Sequence, residues 1–354
     1  MLMVVFGAGA SYDSYPSLRP PVSVTNNISP ASQELEEHRP PLAHQLFSER
    51  DAFAKVTSAF PECQPIIPFL RHVRGSSVEQ VLEDLQSRVS ANPRRAIQLA
   101  AIRHYLQFII VECEDRWRNV HNGITNYTTL LDEIEDWRQR QDEPVCLVTF
   151  NYDMMIEKAL PSVGVTIAEM RDYISKSYLL IKLHGSVDWG REVGGVFLDM
   201  KKSDRAIAQA LIDKAPHLQL MNKFEIITSR PIAKSLFGYL IPALAIPIVK
   251  KQQYECPDEH VAALDKFLPH VTKLLIVGWR ANEQHFLERL KKGLKNDLEV
   301  MVVSGNAKDA EETIANLEKT RMQKVGDYKR AEHGFSQFIL RRTVRELLFG
   351  DKLA

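Results

Sequence analysis

The sequence predicts an α/β fold built on a doubly wound parallel sheet, and three observations lead there. The chain opens MLMVVF, a continuous apolar run that breaks into Gly7-Ala8-Gly9-Ala10-Ser11. Further short apolar runs follow at Val145–Phe150 (VCLVTF), Leu179–Leu183 (LLIKL), Leu274–Val277 (LLIV) and Leu298–Val303 (LEVMVV). Most of them give way to polar or Gly residues and then to a helical stretch. Unalternating apolar runs suit strands covered on both faces, and strands that alternate with helices pack as a parallel sheet.

Taken in order, residues 1–6 read as a buried strand that ends in the glycine turn. Residues 12–41 are rich in Pro, Ser and Asn, which predicts a long loop with at most one short helix; loops of this length are commonly functional. From Pro41 to about Gln141 the pattern is helical: Val78, Val81, Leu82 and Leu85 recur at helical spacing, as do Ile102, Leu106 and Ile109. The remaining strands follow, with a less regular stretch at 184–240 in which Gly194-Gly195 suggests a hairpin. The tail from Gly334 reads as one closing amphipathic helix. The expected class is therefore α/β, a Rossmann-like doubly wound parallel sheet in a single domain spanning 1–354, with a helical insertion at about 48–140.

Composition narrows the possible functions. The 354 residues are 45% hydrophobic and 25% charged, as in ordinary soluble proteins. Lys plus Arg equals Asp plus Glu at 45 each, so there is no net field to attract nucleic acid or anionic lipid. The four cysteines, Cys63, Cys113, Cys146 and Cys256, are widely spaced with no CxxC pair. That argues against a disulfide framework or a structural zinc site and fits a reducing cytoplasm. The apolar surroundings of Cys146 predict a buried thiol. No apolar run reaches the roughly 18 residues of a membrane span, and the six-residue start lacks a charged signal-peptide region.

Chemistry concentrates at the strand ends. Glycines after a strand let backbone approach a pyrophosphate. The dehydrogenase pattern, however, wants a third Gly where Tyr12 stands and a ribose-binding acid about 20 residues on, where the chain has Pro30. Asn151 and Asp153, in Thr149-Phe150-Asn151-Tyr152-Asp153, either meet a ligand or cap the following helix. His184, in Lys182-Leu183-His184-Gly185-Ser186, either acts as a base near neutral pH or packs as an ordinary polar residue. Gly278 to Glu283 and Ser304-Gly305-Asn306 close two further strands, with a Gly turn and a helix cap as their plain readings.

As an ordered set these motifs resemble the sirtuin-like superfamily, and more closely its bacterial branch from anti-phage defence. GAGAS resembles the family's GAGxS turn, Arg39–Phe47 (RPPLAHQLF) is similar to its RPPLA-type stretch, and TFNYD resembles TxNYD. KLHGS looks like the motif of the catalytic His, 241–250 (IPALAIPIVK) is similar to the IPP…K region, GWRANEQHF resembles GYSxxDxHI, and VSGN stands at a ribose contact. The resemblance implies that Gly7, Ala8, Gly9 and Ser11 cradle the phosphates of NAD. It further implies that Asn151 holds the nicotinamide ribose and a water, Asp153 the carboxamide, His184 the base, and Gly278 and Asn306 the adenosine half. Glu283 stands where the family has Asp, and Trp279-Arg280 replace Tyr-Ser, which weakens the adenosine-side assignments. The paired CxxC motifs of the deacylase zinc ribbon are missing, so no metal is expected.

The implied activity is NAD+ hydrolysis to nicotinamide and ADP-ribose, in antiviral defence by abortive infection. Unregulated turnover would poison the cell. The site is accordingly expected to be held inactive, gated by loop 12–41 or the helical block, until a trigger, a homo-oligomer or a partner such as an ATPase or sensor encoded nearby releases it. Protein deacylation, ADP-ribosyl transfer and non-catalytic NAD or ADP-ribose sensing are the alternatives. No membrane or direct nucleic-acid contact is expected.

Overall fold

Leu2–Phe6 is buried on every residue and forms the centre of the fold. The computed structural model describes residues 1–15, 36–71, 78–120, 124–236, 238–247, 254–320 and 325–350. Nine strands lie among them in chain order: β1 (Leu2–Phe6), β2 (Val145–Thr149), β3 (Tyr178–Lys182), β4 (Gly185–Gly194), β5 (Gln219–Ile226), β6 (Tyr239–Leu244), β7 (Lys273–Val277), β8 (Leu298–Val303) and β9 (Val325–Ala331). Six of these make one parallel sheet in the order β3-β2-β1-β7-β8-β9. Counted within that sheet the order is 3-2-1-4-5-6, the doubly wound arrangement in which winding reverses between the first and fourth strands. The α/β, Rossmann-like class is therefore present.

Register positions the site. Phe6 lies opposite both Thr149 and Val277, Thr149 opposite Lys182, and Val277 opposite Val303. The carboxyl ends of five strands thus finish level, and the loops after them share one rim. β9 has no apolar run to announce it. It lies at the sheet edge, where residues such as Lys329 and Arg330 are compatible with a strand covered on one side only.

At the reversal two glycine turns meet backbone to backbone. A Cβ on Gly7 would lie 2.6 Å from the Gly278 carbonyl, and one on Gly278 would lie 2.3 Å from the Ala10 nitrogen. Gly278 also has φ of 62°, a left-handed conformation. Gly278→Ala is expected to cost on the order of 2–4 kcal/mol, combining the left-handed penalty with overpacking against backbone that cannot move aside. Denaturant titration checks this, and a loss under about 1 kcal/mol would contradict the packing account.

Between β1 and β2 the described residues form helices at Asp51–Ala59, Ile67–Arg71, Val78–Ser87, Arg94–Val120 and Asn126–Gln141. The expected stripe residues Leu82, Leu85, Ile102, Leu106 and Ile109 are buried together with Phe53 and Tyr105 in a second core. Asn126–Gln141 packs instead on the main sheet through Leu130, Ile134 and Trp137. Most of the Pro-rich stretch expected at 12–41 lies outside the described residues, at 16–35.

Two local expectations are corrected. Gly195 does turn the chain, at φ 84°, and β4 pairs antiparallel with β5. The connection is not a tight hairpin, because it carries a helix at Asp204–Asp213 capped by the Ser203 hydroxyl. That helix buries Ile207, Ala208 and Leu211 against Val193 and Ile241, closing a small core under the sheet β5-β4-β6. The tail is two helices, Gly334–Leu340 and Val344–Phe349, broken where Arg342 takes a φ of 54°. No helix among the described residues is long and apolar enough to cross a membrane.

Candidate functional site

Adjacent strand ends bring the Gly turn and the Asn-Tyr-Asp motif into one hydrogen-bonded cluster. Ser11 Oγ donates to Asp153 Oδ2 at 2.6 Å, and Asn151 Nδ2 donates to Ser11 Oγ and to the Gly7 carbonyl, each at 2.9 Å. Ser11, Asn151 and Asp153 are only 3%, 7% and 8% exposed, so each bond replaces water. Asp153 also caps: its Oδ1 accepts the Met155 amide at 3.1 Å at the start of the helix Met155–Ala159. Its capping and cluster roles coexist, one on each oxygen.

Tyr127 is the fourth member, and sequence reasoning missed it. Its hydroxyl lies 3.0 Å from Ser11 Oγ. Since the Ser11 proton goes to Asp153, the phenol donates in that pair. Burial, reinforced by the Asp153 charge, holds the phenol well above its usual range and keeps it a donor. Ser11 is 116 positions away, and no local pattern marks an aromatic on a helix as belonging to a strand-end site.

Within the Gly turn, the Gly7 amide donates to Val277 O at 3.0 Å, Gly9 to Gly278 O at 3.1 Å and Ala10 to Gly7 O at 2.9 Å. The turn's conformation is thus held by the neighbouring strand. Ala8 opens the short helix Ala8–Tyr12 at half-buried exposure.

His184 stands beside this cluster, past β3 as Asn151 stands past β2. Its ring meets Phe150 edge-on at 4.9 Å between centroids, and Tyr152 lies at 6.1 Å. The next residue, Gly185, has φ 82° and would drive a Cβ into the Ala243 carbonyl, so the chain turns sharply after the histidine. Phe150 in turn stacks on Trp279 at 5.2 Å, and the Trp279 indole donates to the Glu283 carboxylate. Glu283 is therefore linked to the His184 side through aromatic contacts. Asn306 lies apart from these contacts. It is exposed and caps the helix Ala307–Lys319, accepting the Asp309 amide at 2.9 Å.

Two ion pairs support the turn, one fully buried and one with an exposed lysine. Lys182 donates to Glu157 at 2.8 Å and to the Asp153 carbonyl, while Tyr173 donates to the same Glu157 oxygen at 3.0 Å. Glu114, from the helix Arg94–Val120, accepts the Met154 amide at 2.8 Å and pairs with Lys158. Burial pushes the Glu114 carboxyl up to about 7 from an ordinary 4.5, and the Asp153 charge adds to the rise while Lys158 opposes it.

A raised carboxyl binds its proton more tightly in the folded chain, so its contribution is complete below the ordinary value and is lost on the way up through the raised one. Stability relative to Glu114→Gln is expected to fall by on the order of 3 kcal/mol as pH rises from about 4.5 past 7. Paired melting curves across that window test it, and a constant difference would refute it.

The described residues hold no cluster of three or more His, Cys, Asp or Glu able to take a metal ion. All four cysteines are free and buried, and burial pushes Cys63, Cys113 and Cys256 up to about 12, leaving them as thiols.

No protein-family model matches the chain. No curated protein matches it either. Among solved structures the chain is similar to a triple mutant of a Sir2 homologue with 2'-O-acetyl ADP-ribose, at 14% identity and TM-score 0.44, covering 100% of this chain and 94% of that one. It is also similar to Sir2 with the inhibitor EX-527, 2'-O-acetyl-ADP-ribose and a deacetylated p53 peptide, at 10% identity and TM-score 0.37, covering 98% and 93%. A Sir2 mutant with a deacetylated p53 peptide and 3'-O-acetyl ADP-ribose matches at 11% identity and TM-score 0.38, covering 98% and 92%.

Proposed function

We propose that this chain binds NAD+ in the crevice at the β1/β7 reversal and hydrolyses the nicotinamide–ribose bond. The observation that carries the reading is the convergence of Gly7, Ser11, Asn151 and Asp153 in one cluster with His184 on the adjoining strand end. Open α/β sheets bind ligands at this reversal. The glycine turn takes the phosphates through Gly7, Ala8 and Gly9, and Gly278, Glu283 and Asn306 face the adenosine half.

Nicotinamide departs neutral from a cationic pyridinium, so the transition state is oxocarbenium-like and little acid help is needed. The three Asn151 bonds all leave from Nδ2, and Oδ1 makes no bond among the described residues. That oxygen orients the attacking water or a ribose hydroxyl. Water oxygen bonds to the anomeric carbon as the bond to the pyridinium nitrogen breaks, and His184 receives the proton directly or through a ribose hydroxyl. Asp153, fixed by Ser11 and Met155, holds the carboxamide.

The hydrogen bonds that join Ser11, the Asn151 amide nitrogen and Asp153, all more than nine-tenths buried, support a resting site that must rearrange to admit substrate. That accords with a triggered enzyme of antiviral defence, released by self-assembly or by a partner encoded nearby.

Incubation of the purified chain with NAD+, with and without the neighbouring gene's product, followed by chromatography, tests the reading. Equimolar nicotinamide and ADP-ribose are expected. With an acyl-lysine peptide or an acceptor protein added, O-acyl-ADP-ribose or an ADP-ribosylated acceptor in place of free ADP-ribose would replace hydrolysis with deacylation or transfer. Calorimetric binding with no product under either condition would make the chain a sensor.

A further inference from the structure

One buried ion group lies outside the cluster above and touches the backbone that carries His184. The Glu255 carboxylate is held between Arg103 at 3.2 Å and Arg191 at 2.9 Å, and its side chain is 8% exposed. The three residues come from three places: the helix Arg94–Val120, strand β4, and the segment that follows β6. Burial opposes the charge on Glu255, yet the two guanidinium groups outweigh it and hold the carboxyl below its usual range.

The backbone around the triad leads directly to the histidine. Arg103 donates to the Leu244 carbonyl at 2.6 Å, just before Ala245, whose amide donates to the His184 carbonyl at 2.9 Å. The Glu255 amide donates to the Leu183 carbonyl at 3.1 Å. Tyr152, whose ring faces His184, donates its hydroxyl to the Ala245 carbonyl at 2.7 Å. Arg191 reaches the other way, donating to the Met221 carbonyl at 2.8 Å and lying over the Phe224 ring, and so adds β5 to the assembly. Two consecutive carbonyls, of Leu183 and His184, are thereby gripped by residues that Arg103 holds together.

We infer that Arg103, Glu255 and Arg191 are positioning residues that lock the helical block and the second sheet around the Leu183–His184 peptide and aim the His184 ring; the catalytic part of this inference rests on the proposed hydrolase. A buried ion group is a poor source of net stability, since apolar residues of similar size replace such groups at little cost. Its contribution here is a single geometry. Arginine forks fix direction as well as distance, which a greasy contact does not.

The test is the full chain carrying Arg103→Met, Arg191→Met and Glu255→Leu together, compared with Glu255→Gln alone. The triple variant is expected to melt within a few degrees of the parent. The Ala245 and Glu255 amides should exchange hydrogen at least about tenfold faster, and kcat for nicotinamide release should fall at least about tenfold with KM changed less than threefold. Glu255→Gln keeps an acceptor for the arginines and is expected to restore amide protection and most of kcat. A folded triple variant with unchanged exchange overturns the inference, as does unfolding of both variants, which would make the group a scaffold. The exchange measurement needs no substrate, so it decides the positioning role even if the parent chain releases no nicotinamide.

Discussion

Asn151→Ala and His184→Ala are each expected to lower nicotinamide release at least about 100-fold while the protein stays folded. For His184 the size follows from general-base help, which contributes about 10²–10⁴-fold. The ring is buried against Phe150 and near Tyr152, but its loss removes contacts at the rim and leaves the strands intact. For Asn151 the loss is double: Oδ1 no longer orients water or ribose, and Gly7 O and Ser11 Oγ lose their amide donor. Ser11 Oγ keeps the Tyr127 donor and Gly7 O keeps the Ala10 amide, so only the net contribution of the lost bonds is removed, about 0.5–1.5 kcal/mol each, and a modest drop in melting temperature should accompany the kinetic loss. Product chromatography beside circular dichroism separates the two effects. Retained turnover in both variants would remove these residues from the chemistry.

Lys182→Met is expected to destabilise the fold by about 3–5 kcal/mol, because it leaves a buried carboxylate without its cation. Glu157 has a side chain only 4% exposed, and in the parent its Oε1 is held by Lys182 and Tyr173. Its Oε2 has no partner, so nothing nearby can replace the ammonium. Adding Glu157→Leu should recover most of the loss, because the uncompensated carboxylate is then gone. Denaturant titration checks both, and a Lys182→Met variant as stable as the parent would show that the pair contributes nothing.

The strand ends were legible in the sequence because each is a local signal: LMVVF is apolar throughout, VCLVT and LEVMVV carry one polar residue each, and polar or glycine residues follow. GAGAS, Asn151, Asp153 and His184 could therefore be placed at strand ends, which in one sheet can converge on one crevice. The readings that needed correction failed where the local signal was real but incomplete. Gly195 does turn the chain, yet the spacing of Ile207, Ala208, Leu211 and Ile212 was what announced the helix filling the supposed hairpin. β9 escaped notice because an edge strand need not be apolar. Asp153 offers more than a cap, because its two oxygens let it cap a helix and join the cluster at once.

The sequence by itself determined the α/β class and the residues that follow its strand ends, because burial on both faces of a parallel strand leaves a pattern in consecutive residues. Only the tertiary structure decided that Tyr127 donates to Ser11, that Glu114 holds the turn after Asp153, and that Ala245 and Glu255 grip the Leu183 and His184 carbonyls. Those contacts join residues far apart in the chain. Hydrogen-bond geometry across a packed interface has no period along the sequence and exists only once the strands are in register and the helices lie against them.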